Sequence, residues 1–307
     1  YKIDLLVAPK ISFKFSGVNK VMRLMLPAIL GTAVVQINLI VDSIVASLLV
    51  SGSISWLYYS DRLVELPLGV FGIAIATVIL PALSAKYSKK DISSYKSTLK
   101  NALNISVIFS LPAMFGLIIL SSHIIASLFY YGSFTFNDTL MSSLSLIAYS
   151  IGLPAFILMK VLLTAFFSRQ DTRTPVRYGI IAVLFNMIMN LSVLAYYLQN
   201  PFGGAHAFLA LATSLSAWLQ VILLYKNLRK NNYINENIFF AKTSYQSLFS
   251  CIIMAIILSY TLVDVLEWTQ NAYYIRGILL LMYIIFGAAI YASIMYILGY
   301  KIKKNYI

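Results

Sequence analysis

Eight long and almost uncharged apolar runs constrain this chain more than any other feature of its sequence. An α-helix needs about 20 such residues to cross the hydrocarbon core of a bilayer, and only helices and closed barrels satisfy the backbone there. The runs cover residues 21–50, 53–85, 99–120, 140–167, 176–198, 205–224, 245–266 and 275–298. They predict an all-α integral membrane protein of about eight transmembrane helices. A further stretch, 124–131, is too short to span and is expected at the membrane interface.

The composition excludes a soluble globular domain. Hydrophobic residues make up 60% and charged residues 11% of the 307 positions, whereas soluble domains carry about 25% charged residues. The single cysteine, Cys251, lies inside an apolar run and forms no intrachain disulfide. Because the chain begins at Tyr1 and shows no signal peptide, we expect a fragment, or a processed or split chain, without its natural N-terminal portion.

The positions of the basic residues support the span count. Of the 23 lysines and arginines, 20 lie in segments that fall on one side when eight spans alternate across the membrane. The positive-inside rule places that side, and both ends of the chain, in the cytoplasm. The net charge of +13 therefore predicts contact with anionic membrane lipids and no nucleic-acid partner. The remaining three are Arg62 and Lys160, inside runs, and Arg276, which opens the last run and is expected to snorkel to the membrane surface.

Three ionisable residues lie together in the second run, at Asp61, Arg62 and Glu65. Helical spacing puts Asp61 and Glu65 on one face and lets Arg62 meet Glu65. Two interpretations are open. The triad either neutralises itself and holds helices together, or it lines a polar cavity in which the planar guanidinium of Arg62 binds a phosphate. We favour the cavity, because an apolar helix would pack at lower cost. Lys160, within the fourth run, either faces the same cavity or extends toward the cytoplasm.

A second polar set is distributed over three runs. Asp42 lies deep in the first run without a basic neighbour, Asn186 and Asn190 share one face of the fifth run, and Thr213 lies in the sixth. Carboxylate, amide and hydroxyl oxygens are hard ligands that suit a small monovalent cation such as sodium. If these runs meet, the set predicts a cation site. The alternative is interhelical hydrogen bonding by the amides and the hydroxyl.

The sequence contains no catalytic constellation that we recognise. It has no Walker loop, no His-Glu-x-x-His, no Gly-x-Ser-x-Gly and no cysteine pair. The acidic residues of the basic loops, Asp91, Asp171 and Glu236, are scattered and unpaired. The pattern predicts a protein that is not an enzyme and has no cofactor beyond a coupling ion.

Two stretches resemble a known transporter family. Residues 51–85 read SGSISWLYYSDRLVELPLGVFGIAIATVILPALSA, and residues 149–176 read YSIGLPAFILMKVLLTAFFSRQDTRTPV. The aromatic–Asp-Arg-Leu core, the Pro-Leu-Gly-Val-Phe-Gly continuation and the Ser-Arg-Gln-Asp-Thr-Arg-Thr-Pro loop are specific. They resemble the lipid II flippases of the MurJ family, in the multidrug/oligosaccharidyl-lipid/polysaccharide exporter superfamily. The likeness covers most of the chain.

The resemblance implies an architecture. Members of that family have fourteen helices, in two lobes and an appended pair, and this chain resembles helices seven to fourteen. Residues 1–225 would form the six-span C-lobe bundle, and residues 226–307 the appended pair. The helices of the N-lobe would be a missing partner.

The resemblance also implies a function in cell-wall peptidoglycan synthesis at a bacterial inner membrane. Lipid II would move from the cytoplasmic to the periplasmic leaflet by alternating access, with sodium or proton coupling and no bond chemistry. Arg62 matches the cavity arginine of this lobe and would bind the pyrophosphate, with Asp61 and Glu65 as acidic neighbours. The alternatives are a related exporter of polysaccharide lipids or drugs, and a non-transporting membrane scaffold.

Overall fold

The structure, a computed structural model, describes residues 36–234 and 241–300, and every regular element within them is helical. Seven helical segments there are long and apolar enough to cross a membrane. A π-helical segment, Leu68–Ile73, joins the helices α2 (Ser53–Pro67) and α3 (Ala74–Ser88) into one continuous rod. The helices are α1 (Gln36–Ser47), α2 (Ser53–Pro67), α3 (Ala74–Ser88), α4 (Ile92–Ile119), α5 (Ser121–Phe129), α6 (Phe136–Phe167), α7 (Arg173–Gln199), α8 (Ala205–Lys230), α9 (Lys242–Thr261), α10 (Val265–Gln270) and α11 (Tyr273–Ile297).

These helices confirm the all-α membrane class and match the predicted runs. The first run, 21–50, is described only from residue 36, where α1 forms a shorter apolar helix. The seventh run ends earlier than predicted, because α9 stops at Thr261 and Asp264 starts α10 by accepting the backbone N–H of Leu266 at 2.7 Å. The division of the chain at residue 225 stays a prediction.

Helix α6 lies at the centre of the bundle and packs against α2, α4, α5 and α8. Its buried faces are rich in serine, alanine and glycine, and such small residues let membrane helices approach closely. The Ser60 hydroxyl of α2 donates to the Ser142 carbonyl at 2.7 Å, and the Ser214 hydroxyl of α8 donates to the Ala148 carbonyl at 2.7 Å. Interhelical hydrogen bonds therefore position α2 and α8 on α6.

Helix α5 is too short to span, as predicted, but it is buried against the bundle at Ile125 and Ala126. Its C-terminal carbonyls meet Arg276, whose guanidinium donates to the Ala126 carbonyl at 2.9 Å and to the Tyr130 carbonyl at 3.3 Å. The prediction that Arg276 snorkels to the surface is therefore wrong. Its side chain is 7% exposed, because a cation at a helix C-terminus satisfies carbonyls that have no intrahelical donor.

The C-terminal helices α9 to α11 pack on α4 and α5. The Trp268 indole of α10 donates to the Ser127 hydroxyl of α5 at 2.9 Å, and an imidazole nitrogen of His123 lies 2.9 Å from the Val263 carbonyl. Burial lowers the pKa of His123, so this imidazole is neutral near pH 7. The segment from α9 to α11 is thus attached to the bundle by polar contacts as well as by apolar packing.

Candidate functional site

The triad predicted from sequence forms on α2. The Arg62 guanidinium lies 2.7 Å from the Glu65 carboxylate and 3.1 Å from that of Asp61, and its centre lies 5.4 Å from the ring centroid of Tyr58. The Arg62–Glu65 pair follows from the three-residue spacing on one helix. The Arg62–Asp61 pair joins adjacent residues, so neither pair needs a contact from another element. The three side chains are 51% (Arg62), 40% (Asp61) and 49% (Glu65) exposed. The guanidinium is therefore neutralised locally and keeps an open side.

The exposure of the triad is informative because α2 belongs to a membrane-spanning rod. Arg62 lies nine positions after Ser53, about 14 Å along the helix. A charged side chain that faced lipid at such depth would cost roughly 3 kcal/mol or more. We therefore expect the open side of Arg62 to face a polar space or a polar partner. An Arg fork with one free edge is suited to a phosphate, which it binds through parallel hydrogen bonds.

Just beyond the triad, the rod departs from regular α-helix. Pro67 lies in the last turn of α2, and the π-helical segment Leu68–Ile73 follows directly. Proline removes one backbone donor, and π-helical turns frequently occur at functional sites. The ring of Phe71 in this segment stacks on Phe109 of α4, with centroids 5.0 Å apart and planes 11° apart. The π-helical segment, which we call the α2–α3 joint, and its ring stack set the direction in which α2 continues into α3.

The second polar set also comes together, from α1, α7 and α8. The Asn190 amide donates to one carboxylate oxygen of Asp42 at 2.6 Å, and the Asn38 amide donates to the other at 2.9 Å. The Asn190 amide also donates to the Asn186 oxygen at 2.9 Å, and the Asn186 amide donates to the Thr213 hydroxyl at 3.2 Å. Asn186 and Asn190 are buried. The four predicted residues thus form one connected cluster.

The cluster contains oxygen atoms of the hard type that small cations take as ligands. The Asn190 side-chain oxygen is buried without a hydrogen-bond partner among the described residues. Turning the Asn186 amide over would let its nitrogen donate to Asp42 at 3.0 Å while its oxygen accepts from Thr213 at 3.2 Å. Amide orientations are set by the surrounding donors and acceptors. A cation at the Asp42 carboxylate would favour the unturned orientation, in which the Asn186 oxygen lies beside that carboxylate.

Lys160 does not join the triad. Helices α2–α3 and α6 run in the same direction, because Ser60 contacts Ser142 and Gly72 lies against Ile157. At 1.5 Å per residue, Lys160 lies roughly 24 Å farther along the bundle than Arg62. One pyrophosphate cannot reach both side chains at once. Of the two interpretations of Lys160, the structure therefore does not favour the one in which it shares a site with Arg62.

Two residues near the site were missed by sequence reasoning. Asn38 lies four positions before Asp42, and this helical spacing was a usable signal for its hydrogen bond. Tyr149 of α6 lies within electrostatic reach of both Asp42 and Asp61, which no local pattern reveals. Tyr149 therefore lies in the same region of the bundle as both polar sets.

Known proteins resemble this chain over most of its length. A family model described as lipid II flippase MurJ matches residues 1–284. A probable lipid II flippase MurJ of Vibrio cholerae is 49% identical over 227 residues, which cover 74% of this chain and 42% of that protein. The corresponding protein of Haemophilus influenzae is 37% identical over 313 residues, which cover 99% of this chain and 59% of that protein.

One solved structure is similar in fold and in sequence. A lipid II flippase MurJ in an inward closed conformation superposes with a TM-score of 0.71 at 28% identity, covering 94% of this chain and 56% of that chain. This chain therefore spans about two to three fifths of the length of the proteins it matches.

Proposed function

Because the chain belongs to the lipid II flippase MurJ family, we propose that it is the part of a flippase that binds and moves lipid II, a lipid-linked peptidoglycan precursor. The protein is a multi-pass bacterial membrane protein. In the proposed orientation the basic loops lie in the cytoplasm, and lipid II moves from the cytoplasmic to the periplasmic leaflet. No covalent bond changes, so the protein acts as a transporter and not as an enzyme.

The observation that carries this proposal is the half-exposed guanidinium of Arg62. Asp61 and Glu65 neutralise and orient it, and its open side is available to an anion within a membrane-spanning rod. The pyrophosphate of lipid II would bind there through the planar fork. Two carboxylates beside the arginine limit how tightly an anion binds, and this suits a site that must release its substrate on the other side.

The direct test of the function is rescue of cells that lack their own lipid II flippase. We expect the complete membrane protein that contains this chain to restore growth of such cells, with membrane levels checked by immunoblot. The empty vector is the control and should give lysis. Lysis in spite of normal membrane levels would contradict the proposal. It would favour a related exporter of polysaccharide lipids or drugs, or a non-transporting scaffold.

We further propose that the cluster around Asp42 binds the coupling ion. Asp42 supplies the negative charge, and Asn186, Asn190 and Thr213 supply neutral oxygens. The unpartnered oxygen of Asn190 is the observation that supports this role, because a bound cation would satisfy it. Sodium suits such a hard ligand set, and a proton on Asp42 is the alternative.

The sodium proposal predicts the behaviour of Asp42→Asn. The purified complete protein should be stabilised against heat by sodium relative to potassium, since a ligand that binds only the folded state raises the melting temperature. Asp42→Asn keeps the side-chain shape but removes the charge, and should weaken sodium affinity at least about tenfold, or about 1.4 kcal/mol.

Ser43→Ala is the matched control for that experiment. The Ser43 side chain is exposed, and among the described residues its hydroxyl donates only to the Leu39 carbonyl of its own helix, at 2.8 Å. Its sodium response should equal that of the parent protein. If the melting temperatures of the parent protein and of Ser43→Ala depended on pH but not on sodium, the coupling ion would be a proton. Independence of both would refute the ion site.

A further inference from the structure

A proline in helix α4 leaves one backbone carbonyl without its intrahelical donor, and a different helix supplies the missing hydrogen bond. Pro112 lies inside α4 and has no backbone N–H, so the carbonyl of Ile108, four residues earlier, lacks its usual intrahelical donor. Ile108 is buried. A buried carbonyl without a donor is costly, and within a membrane no bulk water replaces the lost bond. The structure must therefore supply a donor from elsewhere.

The donor is Tyr291 of α11. Its hydroxyl lies 2.8 Å from the Ile108 carbonyl and 2.8 Å from the Ser247 hydroxyl of α9. A tyrosine carries one hydroxyl proton, and a carbonyl can only accept, so Tyr291 donates to Ile108 and Ser247 donates to Tyr291. Ser247 is fully buried. The pair α9 and α11 thus completes the hydrogen bonding of α4 at the position that its proline opened.

The peptide group between Ile108 and Phe109 also links α4 to the segment that carries the candidate site. The Ile108 carbonyl and the Phe109 nitrogen belong to one planar peptide group, so tilting the carbonyl displaces Phe109. The Phe109 ring stacks on Phe71, in the π-helical segment that joins α2 to α3. Proline and π-helical segments are the positions at which helices bend. Two weakened helix segments are therefore in direct contact, and Arg62 lies on the α2 side of one of them.

We propose that Tyr291 is a positioning residue that sets the shape of α4 at Pro112 and, through the Phe109–Phe71 stack, couples the α9–α11 pair to the segment that carries Arg62. The α9–α11 pair is then more than a peripheral attachment. It holds α4 in a defined geometry at Pro112, where the helix can bend. Any force that moves α11 along α4 changes the alignment of the Ile108 carbonyl. The α2–α3 joint follows through the two stacked rings.

A double-mutant cycle with hydrogen exchange tests this proposal on the complete protein in detergent or nanodiscs. Tyr291→Phe keeps the ring and removes the donor. Amide exchange in residues 109–116 should accelerate about tenfold, and exchange in residues 68–76 about threefold. In the Pro112→Ala background the new backbone N–H of residue 112 donates to Ile108. Tyr291→Phe should then change neither segment by more than about a factor of two.

Tyr296→Phe is the matched control, because this tyrosine lies on the same helix and is 78% exposed. It should leave both segments unchanged. Equal acceleration by Tyr291→Phe in the parent protein and in the Pro112→Ala background would overturn the assignment of Tyr291 to the proline-opened carbonyl. Acceleration confined to residues 109–116 would overturn the coupling to the α2–α3 joint. Ser247→Ala, which removes the donor to Tyr291, should give a smaller change in the same direction.

A transport measurement extends the test and rests on the proposed function. Tyr291→Phe should slow lipid II movement about fivefold, with lipid II affinity within twofold of the parent, because the substituted residue does not touch the site. An unchanged rate would overturn the coupling. If the parent protein moved no lipid II, the proposed function would fail, while the exchange experiment would still decide the role of Tyr291.

Discussion

Replacing Arg62 with glutamine is expected to weaken binding of lipid II to the complete protein about a hundredfold. Loss of one partner from a hydrogen-bonded charge pair costs about 2 to 5 kcal/mol, and a hundredfold corresponds to about 2.8 kcal/mol. Two effects add here, because the fork is lost and the carboxylates of Asp61 and Glu65 then repel the pyrophosphate. The measurement is lipid II binding to purified protein in nanodiscs, followed by rescue of flippase-depleted cells.

The neutral triad provides the control that separates binding from structure. In the combined variant Asp61→Asn, Arg62→Gln and Glu65→Gln no charge is left without a partner. If Arg62 only neutralises its neighbours, this variant should bind and rescue as well as the parent. If Arg62 binds the phosphate, the combined variant should regain normal stability and membrane levels while lipid II binding stays weak. Arg62→Lys should fall between, since lysine keeps the charge but not the fork.

Introducing a methyl group at Gly152 is expected to destabilise the bundle by about 3 kcal/mol, at the upper end of what overpacking costs. A Cβ atom there would lie 2.6 Å from the Ser214 hydroxyl oxygen and 2.9 Å from the Ser214 Cα of α8. Because one of these contacts is backbone, a side-chain rotation cannot relieve it. Helix α8 must move away from α6, and the hydrogen bond from Ser214 to the Ala148 carbonyl is strained.

Unfolding of the purified protein in mixed micelles measures this effect. Gly116→Ala in α4 is the matched control, because a Cβ atom at Gly116 has no neighbour within 4 Å, and its stability should change by less than about 0.5 kcal/mol. Adding Ser214→Gly to Gly152→Ala removes the closest contact and should recover part of the loss. If Gly152→Ala proved as stable as Gly116→Ala, the close approach of α6 and α8 would not control the packing.

The helical membrane class and the second to eighth spans followed from the sequence because hydrophobic length and charge are properties of short stretches. An uncharged run of about 20 residues has few alternatives to a membrane helix, whatever its neighbours are. The Arg62–Glu65 ion pair was predictable for the same reason, since the two residues lie three positions apart on one helix. Contacts between residues of one helix can be predicted from their spacing before any tertiary contact is known.

Contacts between helices were decided only by the tertiary structure. Asp42 and Asn190 are 148 positions apart, and Tyr291 and Ile108 are 183 apart. Arg276 illustrates the consequence: its position at the start of a run suggested the membrane surface, but the end of α5 lies beside it and supplies unsatisfied carbonyls. Which helices meet depends on the fit of small-residue faces such as that of Gly152 against Ser214. That fit is a property of two surfaces together, so neither stretch of sequence contains it alone.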